Sequence, residues 1–152
     1  MVWREGEKII KKLLPILFVL IITSCSKEVS ENQLVERDGL YYEVNFQKPF
    51  SGRSVNYFDD GTLQNKSNFK DGKRDGLHEF YDENGPMEQY NYKDGKLDGP
   101  SIVFHENGSI LSKYNFKEGK FHGTVEYFGY EGQLIERTCY QDDETVDMSY
   151  CE

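Results

Sequence analysis

The chain has 152 residues, enough for one domain of ordinary size, and 18 Lys+Arg against 27 Asp+Glu give it a net charge of −9. Aromatic residues make up 14% of it, with 11 Tyr and 10 Phe, so it is no disordered tail, and 14 Gly beside one Trp point to a turn-rich β protein rather than a helical one. Such acidity argues against a surface that tracks nucleic-acid backbones or anionic headgroups.

The first two dozen residues differ from the rest. Arg4, Lys8, Lys11 and Lys12 make a positive start, and Leu13 to Ile22 is an apolar run broken only by Pro15. That run is too short to cross a bilayer core as a helix, which needs about 20 residues, but it suits a secretory signal peptide over 1–24. It ends in Ile22-Thr23-Ser24-Cys25, which resembles the bacterial lipobox. By that resemblance Cys25 takes a diacylglyceryl thioether and becomes the mature N-terminus, and Ser26 permits outer-membrane sorting in a cell with two membranes. The alternative is an uncleaved anchor with a chance Cys. Two or three acyl chains at about 0.8 kcal/mol per buried CH₂ hold a protein on a membrane. Residues 1–24 contain four of the bases and two of the acids, so 14 bases and 25 acids remain, a net −11. The lipid, not a basic patch, is then the membrane contact.

Residues 25–33 read as the lipidated Cys and a flexible tether, and 34–152 as one repeat domain. Its opening, 34–51, with the strand-like Leu40-Tyr41-Tyr42-Glu43-Val44, reads as a capping unit. From there a pattern recurs: Gly, four residues, an aromatic, three residues, Gly, one residue, an aliphatic. It holds at Gly52/Tyr57/Gly61/Leu63, Gly76/Tyr81/Gly85/Met87, Gly99/Phe104/Gly108/Ile110 and Gly123/Phe128/Gly132/Leu134. The repeats run over about 52–75, 76–98, 99–122 and 123–152. A second motif is written three times, as Phe69-Lys70-Asp71-Gly72-Lys73-Arg74-Asp75-Gly76, from Tyr92 through Gly95 to Gly99, and from Phe116 through Gly119 to Gly123. Asp60-Gly61, Asn84-Gly85 and Asn107-Gly108 are pairs suited to type I′ hairpin turns, and the second motif reads as a longer turn. The segments between are of strand length and rich in Tyr, Phe, Val and Ile. Each repeat should therefore be a β-hairpin in an antiparallel meander. The second unit is one residue short between Gly85 and Gly95 and carries Pro86, which predicts a bulge or twist near Met87–Tyr90. The last unit has Asp143 in place of the turn glycine.

These glycine, aromatic and turn positions resemble the bacterial MORN-repeat variant family, over about Gly39 to Tyr140. The resemblance implies an all-β fold: an open, single-layer, elongated sheet of stacked hairpins. Many such chains are lipoproteins or secreted, and some carry the label of a YwqK-type toxin–antitoxin antitoxin component.

With Cys25 lipidated, Cys139 and Cys151 remain as an even pair in an oxidising compartment, and the expectation is a disulfide across a terminal hairpin, with two free thiols as the alternative. His78, His105 and His122 occupy unrelated repeat positions, so no metal site is expected. Asp59-Asp60, Asp82-Glu83 and Glu106 could suggest calcium, but acids beside hairpin turns are turn formers and match no EF-hand loop. No nucleophile motif, phosphate-cradling loop or dinucleotide fingerprint occurs, so neither a catalytic residue nor a cofactor is expected. Tyr57, Tyr81, Phe104 and Phe128 form one column of stacked hairpins, and Phe69, Tyr92, Phe116 and Tyr140 another. They either hold a thin sheet together or present binding strips to a protein or glycan. The whole reads as a lipid-anchored, non-enzymatic binding or scaffold module of the cell envelope with a protein partner of unspecified identity. An antitoxin-like or immunity partner is the alternative, and a glycan-binding or glycan-acting envelope protein comes third.

Overall fold

The computed structural model describes residues 27–152, so the signal peptide and Cys25 lie outside the described residues. The strands in chain order are β1 (Glu28–Ser30), β2 (Leu34–Arg37), β3 (Leu40–Glu43), β4 (Gly52–Tyr57), β5 (Leu63–Lys70), β6 (Lys73–Asp82), β7 (Gly85–Lys93) and β8 (Lys96–Leu97), followed by β9 (Gly99–Phe104), β10 (Ile110–Lys117), β11 (Lys120–Phe121), β12 (Gly123–Phe128), β13 (Leu134–Gln141) and β14 (Glu144–Val146). The main sheet runs β1-β4-β5-β6-β7-β9-β10-β12-β13-β14, with β8 on β7 and β11 on β10. From β4 onward the sheet follows chain order, with the short β8 and β11 each sharing the partner of the strand that follows it, so this is the open meander of hairpins that the repeats imply.

Two features modify that picture at the N-terminal end. The stretch read as a loose tether is ordered from Lys27 on. β1 pairs in parallel with β4, Glu28 to Arg53 through Ser30 to Val55, and a 3-10 turn follows at Glu31–Gln33. Val29 explains the difference. It is 7% exposed and packs with Phe50 and Phe69, so one apolar residue in a polar run secures the strand. The capping unit is a separate two-stranded sheet, β2-β3, whose Leu34 and Tyr41 pack on the same cluster. Its Tyr41 N–H donates to the Gly72 carbonyl at 2.7 Å.

The two kinds of turn are the reverse of the sequence expectation. Both central residues have positive φ at Asp71-Gly72 (48° and 82°), Asp94-Gly95 (50° and 86°) and Glu118-Gly119 (50° and 89°), so the type I′ turns lie in the Lys-acid-Gly-Lys motif. They are closed by Lys70–Lys73, Lys93–Lys96 and Lys117–Lys120. At the opposite edge one residue per tip has positive φ, the glycine at Gly61, Gly85, Gly108 and Gly132. There Gly61 N–H donates to the Phe58 carbonyl and Phe58 N–H to the Thr62 carbonyl. The same two bonds recur at His105/Gly108/Ser109 and Gly129/Gly132/Gln133. That is a three-residue loop ending in a left-handed glycine.

The bulge expected in the second hairpin occurs at Met87, since Phe80 pairs with Glu88 and Tyr81 with Pro86. It is not special to that unit, because Gln64, Leu111 and Ile135 are bulged in the others. The second unit differs in its tip, where Asp82 pairs directly with Gly85 around two residues. The missing residue comes out of the loop, so the alternation of faces survives.

Candidate functional site

The repeat motif is first a device for stacking one hairpin on the next. The turn amide of Gly72 donates to the Phe50 carbonyl, Gly95 to Arg74, Gly119 to Leu97 and Asp143 to Phe121, at 2.7–3.0 Å. The amide before it is met by the side chain that precedes the glycine of the earlier hairpin. Asp71 N–H donates to Ser51 Oγ (2.8 Å), Asp94 N–H to Asp75 Oδ2 (3.3 Å) and Glu118 N–H to Asp98 Oδ2 (3.1 Å). The motif's Asp is thus an acceptor for the next turn. His122 takes that place in the last unit and lies 3.2 Å from Asp142 Oδ1.

An asparagine column, overlooked in the sequence, does similar work. Asn68, Asn91 and Asn115 stand one residue before the motif's aromatic. Each donates from Nδ2 to a backbone carbonyl of the following strand, Leu77 (2.7 Å), Pro100 (2.6 Å) and Thr124 (2.9 Å). A polar residue recurring at fixed spacing was the signal that could have revealed it. Cys139 occupies this position in the fourth unit and is 1% exposed.

Phe69, Tyr92, Phe116 and Tyr140 do not stack on one another as a simple column. The residue left variable in the motif fills the gaps. Arg74 has its guanidinium 5.5 Å from the Tyr41 ring and 5.7 Å from the Tyr92 ring, and Phe121 sits 4.7 Å from Phe116 and 5.4 Å from Tyr140. Beside them the buried Ser54 and Ser67 pair across strands, and Ser67 pairs with His78, hydrogen-bonded to its Nδ1. His78 is 4% exposed and lies edge-on to Phe80. Burial, with Arg74 nearby, pushes its pKa down to about 4. This Ser–His pair is closed off by packing and is part of the core.

Tyr57, Tyr81, Phe104 and Phe128 stand near the opposite edge, and among the described residues none of them stacks on another. Tyr57 is 52% exposed, while the other three are half-buried. Tyr81 donates its hydroxyl to Glu79 Oε1 at 3.0 Å, and Lys66 Nζ, which bridges to Glu79 Oε2 at 2.6 Å, lies 5.7 Å from its ring. Lys113 Nζ lies 5.2 Å from the Phe128 ring. Aliphatic lysine stems and ring faces thus cover each other.

This edge carries a charge pattern that only the fold assembles. Residues 56–63, 81–87, 103–111 and 127–135 contain no Lys or Arg, but they do contain Asp59, Asp60, Asp82, Glu83, Glu106 and Glu131. Between the first three tips runs an open groove of about 740 Å³ lined by Phe58, Asp59, Asp60, Asp82, Glu83 and Glu106, among others. The Thr62 hydroxyl and amide donate to Asp60 and hold its carboxyl below the usual range, so it stays ionised. Asp82 Oδ1 likewise accepts from the Asn84 and Gly85 amides. At the third tip His105 stacks on Tyr130, 4.1 Å between centroids. Among the described residues no three His, Cys, Asp or Glu side chains converge to hold a metal ion.

Cys139 and Cys151 are joined by a disulfide with 6.0 Å between Cα atoms. The route differs from a simple hairpin. Asp142 and Asp143 (φ 53° and 74°) make the turn without glycine, Cys139 faces Val146, and a 3-10 turn at Met148–Tyr150 brings Cys151 back. Cys151→Ser should lower stability by about 3 kcal/mol, the chain-entropy value for a short closed loop, in urea titrations. An unchanged midpoint would mean that this end is held without the bond.

Residues 51–71, 74–94 and 97–118 each match the family model described as MORN repeat variant. No curated protein matches the chain. Among solved structures it is similar to an S. aureus TarM mutant crystallised with fondaparinux, at TM-score 0.40 and 10% identity, over 75% of this chain and 21% of that one. It is similar to a second TarM structure at TM-score 0.38 and 11% identity, over 76% and 21%. The chain thus spans about a fifth of either structure's length.

Proposed function

We propose that this chain, with its three matched MORN repeats, is a non-enzymatic binding or scaffold module tethered to the bacterial cell envelope, where it docks a partner protein. The observation that carries the reading is how the recurring side chains are used. The motif's aspartates, asparagines and aromatics are engaged in holding hairpins together, while the tips carry aromatic and acidic groups outward at the repeat spacing. A rigid, repeated surface of that kind suits binding rather than turnover. The all-acidic tip edge favours a partner with a basic surface. That charge preference also suits the alternative, an antitoxin or immunity component that neutralises a protein by binding it.

Tethering through Cys25 is supported by the apolar run and by Ile22-Thr23-Ser24-Cys25, and the Cys139–Cys151 bond fits an oxidising compartment outside the cytoplasm. Cys25→Ser should abolish acyl labelling and release the protein from the membrane fraction; labelling that persists would refute lipidation. For the binding role, crosslinked capture from the native membrane should recover a protein that is lost when Tyr57 and Tyr130 are replaced by Ser. Circular dichroism would establish that the fold remains. Capture that is indifferent to both replacements would remove the tip edge as the docking surface. An antitoxin, in contrast, should make its own deletion toxic unless a partner gene is deleted too.

A further inference from the structure

The two ends of the sheet are finished differently. At the first end β1 covers β4 along Arg53–Val55. At the last end β14 covers only Cys139–Gln141 of β13, after which the chain leaves for the 3-10 turn. The outer side of β13 before Cys139 therefore has no strand against it among the described residues. Equivalent stretches earlier in the sheet always do. Lys66 pairs with Glu79, Gln89 with Ile102 and Lys113 with Glu126, and Arg137 is the next residue of that series. Asn65, Glu88 and Ser112 pair with Phe80, Val103 and Tyr127, and Glu136 continues that second series. The ladder alternates, so with Gln141 and Glu144 closing the last turn, the amide and carbonyl of Arg137 point away from β12. The bordering apolar side chains are uncovered as well, with Leu134 47% and Ile135 67% exposed.

Such an edge is a template for an added strand. We propose that the outer edge of β13, centred on Glu136 and Arg137, docks an extended segment of a partner protein by strand addition. The segment takes the slot that the next hairpin occupies in every earlier unit. Continuity with the repeat-to-repeat interface defines its direction, antiparallel to β13. Charge defines its chemistry. The Arg137 guanidinium is held by Glu126, 2.7 Å from Nε and 2.5 Å from the terminal nitrogen, which leaves Glu136 as the unpaired charge of the slot. The segment should therefore carry a lysine or arginine opposite Glu136. A second copy of this chain fits less well, because β14 blocks a long overlap of two β13 strands. This inference rests on the proposed binding role and names where and what that role would bind.

The test uses the folded, signal-free protein and two blocked peptides that copy residues 123–128, the strand filling the equivalent slot one unit earlier. One carries Tyr127→Lys and the other Tyr127→Glu, so the changed residue faces Glu136. The lysine peptide should slow exchange of the Arg137 amide by about tenfold at saturation, and the glutamate peptide should bind more weakly. Glu136→Lys, an exposed change that leaves the fold alone, should reverse the preference. Protection by neither peptide, or a preference unaffected by Glu136→Lys, would overturn the proposal. So would protection of Arg137 that grows with protein concentration when no peptide is present, since the occupant would then be a second copy. The tyrosine-dependent capture described above uses the tip edge, so it can succeed where this test fails.

Discussion

Gly72→Ala should cost about 3 kcal/mol in urea unfolding, whereas Gly119→Ala, at the same position of the same turn type, should cost only about 1 kcal/mol. The backbone is nearly identical at the two sites, with φ +82° and +89°, so a β-carbon meets the same left-handed penalty of about 1–2 kcal/mol at most. The surroundings differ. A Cβ on Gly72 would come 3.0 Å from Leu40 Cβ, 3.0 Å from Pro49 Cβ and 3.2 Å from the Tyr41 carbonyl oxygen, while one on Gly119 meets nothing within 4 Å. Alanine at Gly72 must therefore push the β2-β3 cap away from the sheet and loosen the Tyr41–Gly72 hydrogen bond. The difference between the variants measures how tightly the cap is docked. Equal costs would mean that the cap is not seated on this turn.

Lowering the pH from 7 to 4 should remove about 3 kcal/mol of stability through His78 alone. Its folded pKa of about 4 lies below the 6.5 of an unfolded histidine. Between those values the unfolded chain takes up the proton and the folded one does not. The stabilisation is thus complete above about pH 7, fades as the pH falls through 6.5 and is gone near pH 4. The cause is geometric. The ring lies under Phe80 and against Tyr92, it is bonded to the Ser67 hydroxyl, and Arg74 disfavours a second positive charge. Carboxylates titrate in the same range, so the informative quantity is the difference from His78→Leu. Wild-type stability minus that of the variant should fall by about 3 kcal/mol as the pH drops from 7 to 4, whatever its value at neutrality. A gap independent of pH would show that His78 titrates normally.

Structure is legible in the sequence where a single local rule governs and is not where two rules compete. Four Gly/aromatic/Gly/aliphatic sets at fixed offsets could only be repeated hairpins, because strands of this length and composition leave no room for a helix. The turn types differ from the expectation because Asp-Gly suits both a type I′ turn and the end of a three-residue loop. Strand register decides between them, and register belongs to the sheet. Asp142-Asp143 shows the same limit from the other side. No glycine marks that turn, yet it forms, because Asp143 has its amide on the Phe121 carbonyl and its carboxylate on the Phe121 amide. The stretch around Val29 read as tether because one buried valine has no periodicity. Its strand exists through Phe50 and Phe69, which lie 21 and 40 residues along the chain.

By itself the amino-acid sequence determined the repeat, the hairpins, the acidic balance and the positions where glycine or a small polar residue must stand. These are properties of short segments, each encoded again in every unit. Tertiary structure alone decided how units engage. It set aspartates and asparagines as acceptors and donors between neighbouring hairpins, placed Arg74 and Phe121 in the gaps between rings, and gathered six acids along one edge with lysines on the other. It also left one end of the sheet covered and the other open, because pairing of a strand's outer side depends on which residues happen to follow or precede it in space.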